Sequence, residues 1–125
     1  MIVKQILIID DDSEFRFFVG KNLEMSGKYT IVVAKDGEEG LRKIEKNKPG
    51  LILLDLKMPG ISGFEVLQKL NENEETREIP VIIVTAIVGV EEKEKLENLF
   101  YDELLYKPIR IKELEYRIDR LLSGD

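Results

Sequence analysis

Three stretches of the chain, Val3 to Ile9, Leu51 to Leu54 and Val81 to Val84, are almost unbroken runs of apolar residues. A strand with one face in water alternates apolar and polar side chains. A run without alternation has to be covered on both faces, the situation of the inner strands of a parallel sheet. Weaker strand signals lie at Tyr29 to Ala34 and Glu103 to Tyr106. Between the strands, apolar residues recur at helical spacing: Phe15, Phe18, Val19 and Leu23; Leu41 and Ile44; Phe64, Leu67 and Leu70; Leu96, Leu99 and Phe100; then Ile111, Leu114, Ile118 and Leu121. Strand and helix thus alternate five times. With 125 residues, one domain is expected, built as a five-stranded doubly wound α/β fold.

Punctuation between the elements agrees with this reading. Asp36 with Glu39, and Ser62 with Glu65, have the spacing of helix-opening capping boxes. Pro49-Gly50 follows the second helix, and Lys57 to Gly63, carrying Pro59, Gly60 and Gly63, reads as a loop.

Composition removes whole classes of chemistry. The chain has no cysteine and no histidine, so thiol catalysis, zinc–histidine sites and imidazole bases are excluded, as is donation of a phosphoryl group from histidine. A net charge of −6 speaks against direct binding to nucleic acid or to an anionic membrane. The first apolar run is too short for a membrane span or signal peptide, and the expected location is the cytoplasm.

In a sheet of this kind ligands bind beyond the carboxyl ends of the strands. Asp10, Asp11 and Asp12 follow the first strand, Asp55 the third, Thr85 the fourth, and Lys107 with Pro108 the fifth. With the flavodoxin-like strand order 2-1-3-4-5, those four strand ends are neighbours. Each residue alone has an ordinary explanation as a cap, turn or surface residue. Together they make a coherent phosphoryl site. Asp10, Asp11 and Asp55 crowd negative charge that a divalent cation relieves, and an all-oxygen ligand set suits Mg²⁺. Asp55 is then the nucleophile, with the Lys107 ammonium and the Thr85 hydroxyl partnering phosphoryl oxygens.

The stretches Ile6-Leu-Ile-Ile-Asp-Asp-Asp12, Leu53-Leu-Asp-Leu-Lys-Met-Pro-Gly-Ile-Ser-Gly63, Val81-Ile-Ile-Val-Thr-Ala86 and Lys107-Pro108 resemble the receiver domains of bacterial response regulators. The likeness runs over nearly the whole chain and treats residues 1–125 as one receiver, with no output domain among them. It implies phosphorylation of Asp55 by a sensor histidine kinase or histidine phosphotransfer protein. It also implies Mg²⁺ held by Asp11, Asp55, the Lys57 carbonyl and, through water, Asp10. A cis Lys107–Pro108 bond, a downstream protein target and dimerisation on phosphorylation are further family traits. Phosphorylation in this family shifts the surface formed by the fourth helix, fifth strand and fifth helix.

Three places depart from the family pattern. Leu104 stands where a switch aromatic is common, with Tyr101 and Tyr106 as possible substitutes. Phe100 and Tyr101 replace small residues, and Ala86 to Val90 is unusually apolar. Apolar residues from Val90 through Tyr101 and Leu104 to the last helix are expected to carry the output. Two rivals are weaker. A phosphatase of the haloacid dehalogenase type needs an acid two residues after its nucleophile, where Lys57 stands. A receiver-like module that binds partners without phosphorylation would be expected to have lost a site residue. No strand is followed by the glycine-rich loop that nucleotide binding requires.

Overall fold

The computed structural model describes residues 4–86 and 88–124; Val3, placed above in the first strand, and Ile87, in the apolar loop, lie outside them. The elements are β1 (Lys4–Ile9), α1 (Ser13–Met25), β2 (Tyr29–Ala34), α2 (Gly37–Lys46), β3 (Leu51–Leu54), α3 (Gly63–Glu72), β4 (Val81–Thr85), α4 (Val90–Leu96), β5 (Glu103–Tyr106) and α5 (Ile111–Ser123). All four strand pairings are parallel, as the apolar runs predict, and the order is β2-β1-β3-β4-β5, the flavodoxin-like order taken above.

The unbroken runs are inner strands with successive side chains buried on opposite faces. Leu7, Ile9, Ile52, Leu54 and Ile83 meet Ile44 of α2, Val66, Leu67 and Leu70 of α3, and Leu96 of α4. Ile6, Ile8, Leu51, Leu53, Ile82 and Val84 meet Val19 and Leu23 of α1 and Leu114 and Ile118 of α5. Burying each such side chain stabilises the fold by about 1.5–3 kcal/mol. No helix among the described residues is long and apolar enough to cross a membrane.

Ser62 and Glu65 form the complete capping box that their spacing predicts. Asp36 also caps α2 through the Glu39 N–H, but the Glu39 carboxylate reaches past it to the Lys35 N–H.

Two helical stripes differ from their expected form. Phe18 is 54% exposed, because the inner row of α1 runs along Phe15, Val19 and Leu23, with Gly20 pressed close to Ile31. The fourth helix ends at Leu96 and includes neither Leu99 nor Phe100. The Asn71 side chain takes both backbone groups of Phe100, donating to its carbonyl at 3.1 Å and accepting from its N–H at 2.7 Å. These bonds stand in place of the ones a continued helix would make, and the Phe100 ring is left exposed. Tyr101 and Leu104, expected on an outer surface, are instead half-buried against the core.

Candidate functional site

Backbone ladders deliver the site residues past the ends of their strands. The Asp10 N–H bonds to the Ala34 carbonyl at 3.1 Å, continuing β1 along β2. The Asp55 N–H bonds to the Ile9 carbonyl at 3.0 Å, and the Lys107 N–H to the Thr85 carbonyl at 2.8 Å. Neighbouring strands therefore release their next side chains at one rim of the sheet. Gly63 closes the rim from the other side, with its N–H on the Leu56 carbonyl at 2.9 Å.

Oxygen atoms of Asp10, Asp11 and Asp55 come within 4.8 Å of one another. Asp10 and Asp55 are buried and Asp11 is exposed. Lys107 Nζ lies 2.8 Å from Asp10 Oδ2 and 3.3 Å from Asp55 Oδ2. Burial pushes the Asp10 carboxyl above the usual carboxylate range, and the Asp55 charge adds to this. The Lys107 hydrogen bond and the Asp12 N–H, 2.9 Å from Asp10 Oδ1, pull it back in part. For Lys107, burial works against the ammonium, yet the hydrogen bond and charge of Asp10, followed by those of Asp55, carry its pKa above the ordinary lysine value.

With all groups ionised, three carboxylates and one ammonium leave two uncompensated negative charges. The donor set is all oxygen, partly open at Asp11, and matched in charge to a divalent cation. The residues therefore fit Mg²⁺.

Of the remaining expected residues, Thr85 ends β4 and is buried, in register with Tyr106 on β5. The Lys57 side chain turns outward, 68% exposed, with Nζ 3.9 Å from Glu92, so any contribution it makes to the acid cluster falls to its backbone. The Lys107–Pro108 bond is cis, as the resemblance implies. Asp12 is the N-cap of α1, accepting from the Glu14 and Phe15 N–H groups.

Two residues at the site escaped the sequence reading. Arg16 Nη1 donates to the Asp10 carbonyl at 2.8 Å, and Lys107 Nζ sits 4.3 Å from the centroid of the Phe15 ring. The signal for both was their place in the first turn after the Asp12 cap. Side chains there lean back over the helix N-terminus, towards the strand end that precedes it.

The sequence matches the response regulator receiver domain family over residues 6–119. The chain belongs to that family. Relatives of the receiver include the DNA-binding dual master transcriptional regulator RpaA of Synechocystis, 39% identical over 94% of this chain and 48% of RpaA. Another is the phosphate regulon transcriptional regulatory protein PhoB of Pseudomonas aeruginosa, 37% identical over 98% of this chain and 53% of PhoB. The receiver thus spans about half the length of these regulators.

Among solved structures, a CheY-like receiver from Methanospirillum hungatei superposes with a TM-score of 0.90 at 31% identity, covering 98% of this chain and 96% of that one. The response regulator TrrA of Thermotoga maritima, solved in complex with Mg²⁺-BeF, superposes with a TM-score of 0.83 at 31% identity, covering 96% of this chain and all of TrrA. The receiver is a signalling domain, and its Asp10, Asp11 and Asp55 pocket fits a phosphoacceptor site.

Proposed function

We propose that this receiver accepts a phosphoryl group on Asp55 from the phosphohistidine of a sensor histidine kinase or histidine phosphotransfer protein, in the cytoplasm. The observation that carries the reading is the buried Asp55 carboxylate at the end of β3, within reach of two further acids and the Lys107 ammonium. Asp10, Asp11, Asp55 and the Lys57 backbone carbonyl would hold Mg²⁺. When bound, the ion neutralises negative charge on the incoming group and on the acids around it. The likeness to a receiver solved with Mg²⁺-BeF supports this choice.

An Asp55 carboxylate oxygen attacks phosphorus, the P–N bond to the donor imidazole breaks, and its electron pair leaves with the imidazole nitrogen. The product is an aspartyl phosphate. Water later attacks phosphorus, breaking the P–O bond and releasing orthophosphate and the free carboxylate. Lys107 stays beside Asp55 as the fixed positive partner of a phosphoryl oxygen, and the Thr85 hydroxyl partners another. These are contacts that exist only in the phosphorylated state, so they bias the equilibrium between two conformations. The change is read on the α4–β5–α5 surface, where Val90, Phe100, Tyr106 and Tyr116 are exposed to a downstream protein or to a second copy of the chain.

The test is intact mass after incubation with Mg²⁺ and acetyl phosphate. Wild type should gain one phosphoryl group, only with the metal, and Asp55→Ala should gain none. A folded, Mg²⁺-binding wild type that stays unmodified with both acetyl phosphate and a phosphorylated histidine kinase would favour a phosphorylation-independent binding module.

A further inference from the structure

We infer that Phe15 is a positioning residue for the phosphoryl chemistry, its ring face holding the Lys107 ammonium on the acid pair. The inference rests on the phosphoacceptor reading of the site. Lysine ends a flexible four-carbon stem with a point charge that has three N–H donors and no built-in direction. Here Lys107 directs donors to Asp10 at 2.8 Å and Asp55 at 3.3 Å, and its nitrogen lies 4.3 Å from the Phe15 centroid. The other cation–ring pairs among the described residues are longer, at 5.1 to 5.9 Å.

The ring is itself held. Its residue donates a backbone N–H to the Asp12 cap at 3.3 Å, and its side chain packs on the cluster that contains Leu105, Leu114 and Ile118. Ring attraction for a cation strengthens as water is excluded, and the Lys107 side chain is only 21% exposed.

The choice of a ring over a third carboxylate has a chemical consequence. An additional acid would bind the ammonium more strongly but would compete with the arriving phosphoryl oxygens and add to the charge they must overcome. The ring carries no net charge, so it fixes the position of the lysine without opposing the incoming anion. A leucine of similar bulk would fill the space but lacks the quadrupole that attracts the cation.

The test uses the full chain with Phe15→Leu, Phe15→Tyr and phenylalanines bearing one, two or three ring fluorines introduced at position 15. Fluorination drains the ring face while leaving shape and packing nearly constant. Two readouts are followed: the rate of phosphoryl uptake from acetyl phosphate with Mg²⁺, and the ring-current shift of the Lys107 side-chain protons in metal-free protein. Uptake should fall stepwise with each fluorine and by about 5- to 30-fold in Phe15→Leu, with Phe15→Tyr close to wild type. The lysine shift should vanish in Phe15→Leu and persist in Phe15→Tyr. A flat fluorine series, with uptake intact, would overturn the inference, because packing alone would then explain the contact. Absence of uptake by wild type would overturn the phosphoacceptor reading instead. A wild-type lysine without a ring-current shift would overturn the Phe15 contact independently of any chemistry.

Discussion

Replacing Gly63 with alanine puts two effects of opposite sign against each other. Gly63 is the first helical residue of α3 and has no positive φ, so helix propensity alone favours alanine by up to about 1 kcal/mol. Space forbids it. A Cβ at this position would lie 2.1 Å from the Asp55 carbonyl oxygen and 2.6 Å from Leu56 Cα, both backbone atoms that no rotamer change can move. Ordinary contact begins at 3.4 Å, so α3 and the strand end must part by about 1.3 Å. Leu56 and Asp55 are buried on the far side, which leaves little room to give. Overpacking of this kind costs about 1–3 kcal/mol, and loss of the Gly63–Leu56 hydrogen bond adds about 1 kcal/mol. After subtracting the propensity gain, a net loss of about 1–3 kcal/mol is expected, a sizeable share of the roughly 5–15 kcal/mol that holds a domain together. Urea unfolding followed by circular dichroism measures it. Gly27→Ala is the control: its φ of 75° disfavours alanine, but nothing lies within 4 Å of the added carbon, so about 1 kcal/mol should be lost there. If Gly63→Ala were as stable as wild type, or more so, the close backbone approach beside Asp55 would not exist in solution.

Mg²⁺ at tenfold over its Kd should stabilise wild type by about 1.4 kcal/mol, a rise of several degrees in Tm. Thermal melts of Asp11→Asn, which changes the exposed acid of the cluster, should show that rise shrink while the metal-free Tm holds. Thr76→Val keeps shape but removes the buried hydroxyl that donates to the Leu70 carbonyl at 2.9 Å in the last turn of α3. It should cost about 1–2 kcal/mol by urea unfolding. Asp119 is nudged upward by burial, but hydrogen bonds from Lys28 and Tyr29 outweigh this and hold its pKa below the ordinary value. Its contribution is therefore present above about pH 4 and lost as pH falls through the lower folded value. The gap in stability between wild type and Asp119→Asn should therefore close as the pH is lowered below the ordinary aspartate range. Because the side chain is 43% exposed, that gap should stay below about 1 kcal/mol at neutral pH.

What the sequence made legible follows from where the decisive contacts lie. Ile6 to Ile9, Leu51 to Leu54 and Val81 to Val84 announce burial on both faces within a few residues, and strand order then aligns Asp10, Asp55, Thr85 and Lys107 at one rim. Ser62 and Glu65 are equally local, since a cap is completed by neighbours in the chain. Phe15, Phe18 and Val19 share a plausible helical stripe, and only docking on β2, with Gly20 against Ile31, selects the row through Phe15, Val19 and Leu23 and leaves Phe18 outside. Phe100, expected in α4 but lying beyond its end, is clamped by Asn71, 29 residues away, and no local pattern reports such a clamp. Phe15 and Arg16 were hidden for a related reason. A phenylalanine in an amphipathic helix looks like core, and its second role appears only once β5 brings Lys107 alongside.

The ion pair between Lys107 and Asp10 joins residues 97 apart. Its cation arrives only with β5, which pairs with β4, and β4 in turn leans on β3. A chain still being synthesised, or clipped ahead of its last strand, would therefore carry the acids without their positive partner. The charge balance of the rim acts as a certificate of completion: a molecule acquires its full set of reacting groups only once β5, the last of the four strands that carry them, has joined the sheet.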